Sequence, residues 1–399
     1  MWMLGALLSM GLNQTLLFSF LPYVADVLGI SGSSLEWSGV IILLNVNLLS
    51  YFVGSSYWPN KITSDGFAVS ARFAFTGYAL VSMVFIVVLT LLSLDLSWHW
   101  LSLIILGATR FAMGYFSSAF LPIAHGYILA QNHDHASQYK QLSRASSALT
   151  LGRLIGPGLA LIPINWLLIL VVPLLPMLWS YFQYPSTDSN RQDHKSQVLP
   201  VMQRLKLVPV WTLICALLTT AWVASFQLAL APEVHRLIPT PAEASQQLAM
   251  FLLGVSIVAL FGQAVLMPLL AKFIRVRISL MVLGLLVFTA LIIAKPATYP
   301  VFVMAGVSLA LAVSALPTWY SQVTYHNADE RISKVSVSGL IAQSHSIGHL
   351  VGTGATALFL SWGVNALYAS ALFALLILIS MCAIGSTSLS PSTTSISEK

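Results

Sequence analysis

Charge is what this sequence has least of. Of its 399 residues, 8% are Asp, Glu, Lys or Arg, against about 25% in a soluble domain. A water-facing surface cannot be built from so little. With 57% hydrophobic residues and a mean hydropathy of +0.85, the chain reads as an integral membrane protein. Cysteine is scarce too: Cys215 and Cys382 both lie in apolar stretches, which excludes a disulfide framework and leaves small buried hydrophobes. No phosphate loop of the form Gly-x-x-x-x-Gly-Lys-Ser/Thr occurs, so direct nucleotide drive has no support. Catalytic triads and metal-hydrolase motifs are missing as well. The reading is of a protein that is not an enzyme and takes no cofactor and no metal. Its net charge of +6 follows membrane topology and does not point to a nucleic acid. No basic leader or cleavage site precedes the first apolar run, so no cleavable signal peptide is expected.

A spanning helix needs about 20 apolar residues. Twelve such stretches are expected, near 4–27, 37–57, 73–94, 100–126, 143–163 and 165–183, then 208–230, 246–270, 278–295, 300–324, 335–360 and 364–386. The fold class is therefore all-α, with twelve transmembrane helices in two pseudo-symmetric six-helix bundles. The organisation expected is a first bundle over 1–183, a polar linker over 184–207 with a short amphipathic helix near 198–207, a second bundle over 208–386 and a disordered tail over 387–399. Fourteen of the eighteen Lys and Arg residues fall in loops on one side. By the positive-inside rule that side is cytoplasmic, and both termini lie there. Only Arg236 and Lys295 fall outside. Arg110 and Arg153 lie within spans.

One phrase occurs twice. Gly152-Arg153-Leu154-Ile155-Gly156-Pro157-Gly158 returns 196 residues later as Gly348-His349-Leu350-Val351-Gly352-Thr353-Gly354. A Gly-x-x-x-Gly frame lets two membrane helices approach closely, and its recurrence in matching spans marks a duplicated bundle. It also puts Arg153 and His349 at related positions.

Twelve spans in two sixes joined by a polar linker resemble the major facilitator superfamily of secondary transporters. Leu21-Pro22-Tyr23-Val24-Ala25-Asp26-Val27-Leu28-Gly29 resembles a span-one ending of its proton-antiporter, efflux-like branch. Leu106, Arg110 and Gly114 match that branch's Leu-x3-Arg-x3-Gly pattern, and Gly152, Gly156 and Pro157 resemble its span-five motif. The loop after span two departs from the family: Trp58-Pro59-Asn60-Lys61-Ile62-Thr63-Ser64-Asp65-Gly66 offers Thr63 or Asp65 where the pattern has an acid. The resemblance implies alternating access, a proton partner, a bacterial inner membrane and export of a small solute. A basic residue in the span-five motif is similar to exporters of carboxylate siderophores. The chain is expected to act as a monomer.

An arginine at the midplane is expensive and must face partners or water. Arg110 and Arg153 both reach that depth. Arg110 is expected to meet Asn13, Gln14 and Thr15 of the first span, and Arg153 to attract an anionic solute bidentately, so that Arg153, Arg110, Asn13 and Gln14 are substrate-binding candidates. His345 and His349 lie one helical turn apart and titrate in the physiological range, so either can carry a proton. A metal needs more ligands than this pair supplies. All twelve Asp and Glu residues fall in loops or at span ends. Asp26 and Glu233, at corresponding ends of the first and seventh spans, are the remaining proton-coupling candidates. The absence of a buried acid beside two buried arginines tilts the solute toward anions. Gln263 and Gln343, with Asn45, Asn47, Gln227 and Gln322, are cavity candidates because lipid penalises them. Aromatics that can contact an amphipathic solute are Tyr23, Trp179, Trp211, Trp222, Phe226, Trp319 and Tyr320. Two rivals stay open: a broad multidrug exporter, indifferent to Arg153, and an uptake permease for an organic acid or iron chelate.

Overall fold

Hydrocarbon offers backbone amides no partners, so apolar runs of this length become helices bonded within themselves. The computed structural model describes residues 3–29, 33–94, 99–131, 135–183, 201–270, 272–294, 298–329, 332 and 334–388. Among the described residues, twelve helical segments follow the expected spans, and nine of them, counting the bent α1 as one, are long and apolar enough to cross a membrane. The twelve are α1 (Met3–Ser19 with Leu21–Val27, bent by 62°), α2 (Ser34–Ser55), α3 (Ser64–Ser93), α4 (Trp100–Ala124) and α5 (His135–Ala160). After them come α6 (Trp166–Phe182), α7 (Val210–Leu237), α8 (Pro241–Leu266), α9 (Ile274–Ala294), α10 (Tyr299–Asn327), α11 (Lys334–Ser361) and α12 (Leu367–Ser388). The sequence places every one, but its boundaries are shifted. α5 starts eight residues earlier than expected and α7 runs seven further. The linker residues 184–200 and the tail 389–399 lie outside the described residues; a short helix, Val201–Leu205, falls where an amphipathic one is expected.

Local sequence explains the breaks. Pro22, just inside the second segment of α1, leaves Phe20 outside helical geometry. α2 opens on a capping box, Ser33 accepting from the Glu36 amide and Glu36 reaching back to Ser33. Gly66, at φ 84, turns the chain from α2 into α3 in a left-handed conformation that a side chain would strain. Beside it, Asp65 is held by Lys61 at 2.7 Å and by Ser64 at 2.7 Å.

The duplicated glycine frame is the seam of each bundle. α5 packs on α1 and α11 packs on α7. A Cβ on Gly152 would come within 2.3 Å of the Leu8 carbonyl, and one on Gly156 within 2.2 Å of Thr15 Oγ1. In the second copy a Cβ on Gly348 would come within 2.2 Å of the Leu217 carbonyl, and one on Gly352 within 2.4 Å of the Ala221 carbonyl. The third glycines, Gly158 and Gly354, have nothing within 4 Å. In each bundle the first frame glycine abuts a carbonyl of the facing helix and the third is left with space, the pattern of a duplicated bundle.

Between bundles, α2 packs on α11 and α5 on α8. The bundles are also closed against each other where α1 ends and α2 begins. There Trp37, buried, lies 5.7 Å from the His235 ring at the end of α7. Large apolar side chains such as Leu80, Ile104 and Leu283 point outward and are exposed, as a surface solvated by lipid requires.

Candidate functional site

α5 and α11 are the long helices that fall short of the apolarity of a lipid-facing span, among the described residues. α5 carries Arg153 and α11 carries His345 and His349 away from the helix ends, and each helix lies at a cross-bundle seam. That combination belongs to a helix lining water.

Arg153 projects from α5 inside the glycine frame. It is half-buried, and its Nε is shut off from solvent without a hydrogen-bond partner. Its guanidinium lies within electrostatic reach of Tyr51 on α2 and of His345 and His349 on α11. His345 and His349 are half-buried. His345 Nε2 is 2.7 Å from the hydroxyl of Tyr320, a residue of α10 buried to 1% exposure. A hydroxyl serves either form of the ring, donating to a bare nitrogen and accepting from a protonated one. Two helices of each bundle, α5 and α2 in one and α11 and α10 in the other, thus contribute to one cationic region.

Arg110 does something else. The expected helix-one partners do not receive it. α2 carries a one-residue interruption at Val46, between Asn45 and Asn47, where the backbone stays helical in φ and ψ. Arg110 Nε donates to the Leu44 carbonyl at 2.8 Å, and its guanidinium lies 5.7 Å from the centre of the Phe85 ring. One turn on, Gly114 presses against the Asn47 carbonyl, where a Cβ would sit 2.0 Å away. The Arg-x3-Gly spacing therefore fits this interruption in α2. Asn13 instead hydrogen-bonds the hydroxyl of Tyr78, which reaches toward Arg110 from α3. Thr15 bonds back to the Gly11 carbonyl, and Gln14 is half-buried on α1. Arg110→Lys is expected to cost about 1.5–3 kcal/mol of stability, the worth of a hydrogen bond from a charged group, while solute binding persists. Thermal unfolding and ligand titration of the same sample check both halves of that statement.

The other candidates disperse. Glu233 pairs with Arg236 at 3.0 Å at the end of α7, and Asp26 is exposed at the end of α1. Gln343 is half-buried on α11, within two residues of His345. Gln263 and Gln322 line a separate cavity of about 240 Å³ with Arg277 and Trp319, beside a π-helical turn over Gly262–Leu266. Asn45 bonds back to the Ile41 carbonyl, while Asn47 Oδ1 is buried without a partner. Trp222 and Phe226 are packing residues, their rings 4.9 Å and 5.2 Å from that of Phe288. Trp179 and Trp211 are exposed, and Tyr23 stacks on Trp166 at 5.5 Å. Sequence reading missed Tyr51 and Tyr78. Tyr51 lies one turn from Asn47, on the same face of a span next to a polar break, and that spacing was a usable signal. No cluster of three His, Cys, Asp or Glu side chains able to hold a metal occurs among the described residues.

The comparisons agree with this architecture. A sequence model described as the Major Facilitator Superfamily matches residues 3–353. A search of curated proteins finds no match. Among similar solved structures is a bacterial homologue of the iron transporter ferroportin in an outward-facing state. It is 12% identical, with a TM-score of 0.65, and the match covers 96% of this chain and 98% of that one. The nucleoside transporter NupG is 12% identical, with a TM-score of 0.66 over 97% and 99%. The human organic anion transporter MFSD10 is 16% identical, with a TM-score of 0.63 over 96% and 97%. At such identities the likeness is one of fold. The family match covers nearly the whole chain, the duplicated bundles are its architecture, and the protein belongs to the major facilitator superfamily as a multi-pass membrane transporter of the secondary type.

Proposed function

We propose that this transporter carries a small organic polyanion, of the carboxylate or siderophore-like kind, by alternating access around Arg153, with protons as the coupling ion. One observation supports the reading above all. Arg153 sits at the bundle boundary with an unpartnered Nε, and the groups facing it are imidazole and phenol, not carboxylate. A cation left in that state attracts a carboxylate from the solute, and a guanidinium fork grips it at two points. Rocking of the bundles about this midplane spot then exposes it to one side at a time. The neighbours of known cargo include an organic anion transporter, yet iron and nucleoside transporters share the fold, so the site and not the fold supports the choice of solute. Placement in a bacterial inner membrane, cytoplasmic termini and a monomeric state complete the proposal; the basic residues support the orientation.

Direction has two readings. The Gly-Pro pair in α5 resembles that of exporters and favours export by proton exchange. The lack of a carboxylate beside Arg153 among the described residues favours uptake. A stability screen tests the solute class: detergent-solubilised protein is heated with di- and tricarboxylates and with cationic dyes. Stabilisation by carboxylates is the expected result. Stabilisation by the dyes alone makes it a drug exporter and sinks the anion reading.

A further inference from the structure

Arg277, like Arg153, has a buried Nε without a hydrogen-bond partner. It stands in the first turn of α9 and lines the cavity of about 240 Å³ that Gln263 and Gln322 share. Every lining residue comes from α8, α9, α10 or Met267 just past α8, all in the second bundle. Rocking of one bundle against the other does not open and shut a pocket confined to one of them. Its volume also falls below the roughly 300–1,000 Å³ of sites for drug-sized ligands. Cargo is carried elsewhere.

Depth places the pocket at a membrane face. Trp319, which lines it, comes 20 residues after Tyr299, where α10 begins. That length of helix rises about 30 Å, the thickness of the hydrocarbon core. The turn from α8 into α9 lies at the same end and carries Lys272 and Arg275, both exposed, with Arg277. Beside them Leu269, Phe273 and Ile274 are exposed apolar side chains. Cations and apolar groups exposed side by side fit a headgroup layer with acyl chains beneath it. The local backbone is shaped to match. Over Gly262–Leu266 α8 widens into a π-turn in which the Met267 amide reaches the Gly262 carbonyl, and such turns recur at functional sites. A Cβ on Gly262 would come within 2.6 Å of Ser314 Oγ on α10, so the two helices are pinned one residue from Gln263 and Ala315, which line the cavity.

What the cavity offers is donors. Arg277, Gln263, Gln322 and Thr318 all present N–H or O–H groups. No acid answers them, because residues 244–328 contain neither Asp nor Glu. Glu243 starts α8 at its other end, and Asp329 lies past α10, outside the cavity lining. We propose that this pocket binds the phosphate of an anionic phospholipid, its oxygens gripped by Arg277 and its acyl chains lying along Phe273 and Ile274. Phosphate oxygens only accept, and a guanidinium fork matches two of them at once. Arg277 repels a metal ion, and Lys272 and Arg275 favour a lipid with net negative charge over a zwitterionic one. Because α8 also packs on α5 of the first bundle, a headgroup seated here bears on the seam between bundles. The proposal is independent of what Arg153 binds.

Native mass spectrometry of the full chain in detergent, which counts bound lipids, tests this. The probes are dioleoylphosphatidylglycerol, dioleoylphosphatidylcholine and, as a soluble competitor, inorganic phosphate. The expected result is a single phosphatidylglycerol held more tightly than phosphatidylcholine and not displaced by millimolar phosphate. Arg277→Gln should weaken it roughly ten- to a hundredfold, the worth of a hydrogen bond from a charged group. Arg275→Gln removes the same charge from the exposed turn and should weaken it about fivefold or less. Equal losses from the two variants reduce the effect to diffuse surface attraction and overturn the proposal. Should Arg277→Gln fail to fold, the double variant Gln263→Leu/Gln322→Leu, which keeps every charge, is expected to lose about tenfold; no loss there counts against the site equally. Displacement by inorganic phosphate would make the ligand a soluble phosphate and sink the lipid reading. Equal binding of the two lipids, or of neither, overturns it as well.

Discussion

Arg153→Gln is expected to lower anion transport on the order of a hundredfold while the protein unfolds at the same temperature or higher. Two hydrogen bonds from a charged group, each worth about 1.5–3 kcal/mol, account for the loss. The stability expectation has the opposite sign because of what surrounds the residue. Its Nε is buried without a hydrogen-bond partner, so the substitution removes a desolvated polar atom and breaks no bond that this atom makes. A structural arginine behaves differently: Arg110, whose Nε is bonded to the Leu44 carbonyl, should lose stability on substitution. Arg153→Lys keeps the charge and loses the fork, so an intermediate deficit of about tenfold is expected. Transport in proteoliposomes alongside thermal unfolding in detergent separates the cases. A clear drop in melting temperature with Arg153→Gln would assign the residue to packing.

The second large effect concerns the duplicated glycines. Gly152→Ala and Gly348→Ala each force a Cβ to within about 2.3 Å of a carbonyl on the facing helix, Leu8 in one bundle and Leu217 in the other. The obstacle is backbone, so α1 must part from α5, or α7 from α11. Overpacking of this kind costs about 1–3 kcal/mol, and in a seam this long it is expected to reduce folded protein outright. Gly158→Ala and Gly354→Ala, two steps beyond each frame, meet nothing within 4 Å and should be neutral. Four single substitutions, two damaging and two silent in matched pairs, are what a repeated seam predicts. Equal behaviour of all four would remove the frame as the organising contact.

Much of this was legible in the sequence because bilayer physics is severe. Length and apolarity place twelve helices, and the repeated frame identifies the seams before any coordinates. Less legible were features that depend on the backbone far away in sequence. Arg110 reads as a partner for Asn13 and Gln14 because all three share a depth. Its actual acceptor is the Leu44 carbonyl, close to the interruption at Val46, and no side-chain pattern announces which backbone carbonyl accepts. Trp222 and Phe226 read as cavity aromatics, since a helical stripe does not say whether it faces solute or the next helix; Phe288 on α9 decides it. Tyr320 was visible as an aromatic, but its bond to His345 spans 25 residues and two helices. Glu233 was visible as a helix-end acid, and Arg236 one turn on absorbs it.

The central claim is that Arg153 and the α11 histidines form an anion site on a secondary transporter. Counterflow measures it most directly: proteoliposomes loaded with unlabelled benzene-1,3,5-tricarboxylate take up the labelled compound only if a carrier cycles it. The account predicts saturable, trans-stimulated uptake by the unaltered protein, lost with Arg153→Gln although that variant is folded and inserted. Equal uptake by both proteins, or counterflow of a cationic dye with none of the tricarboxylate, would contradict it.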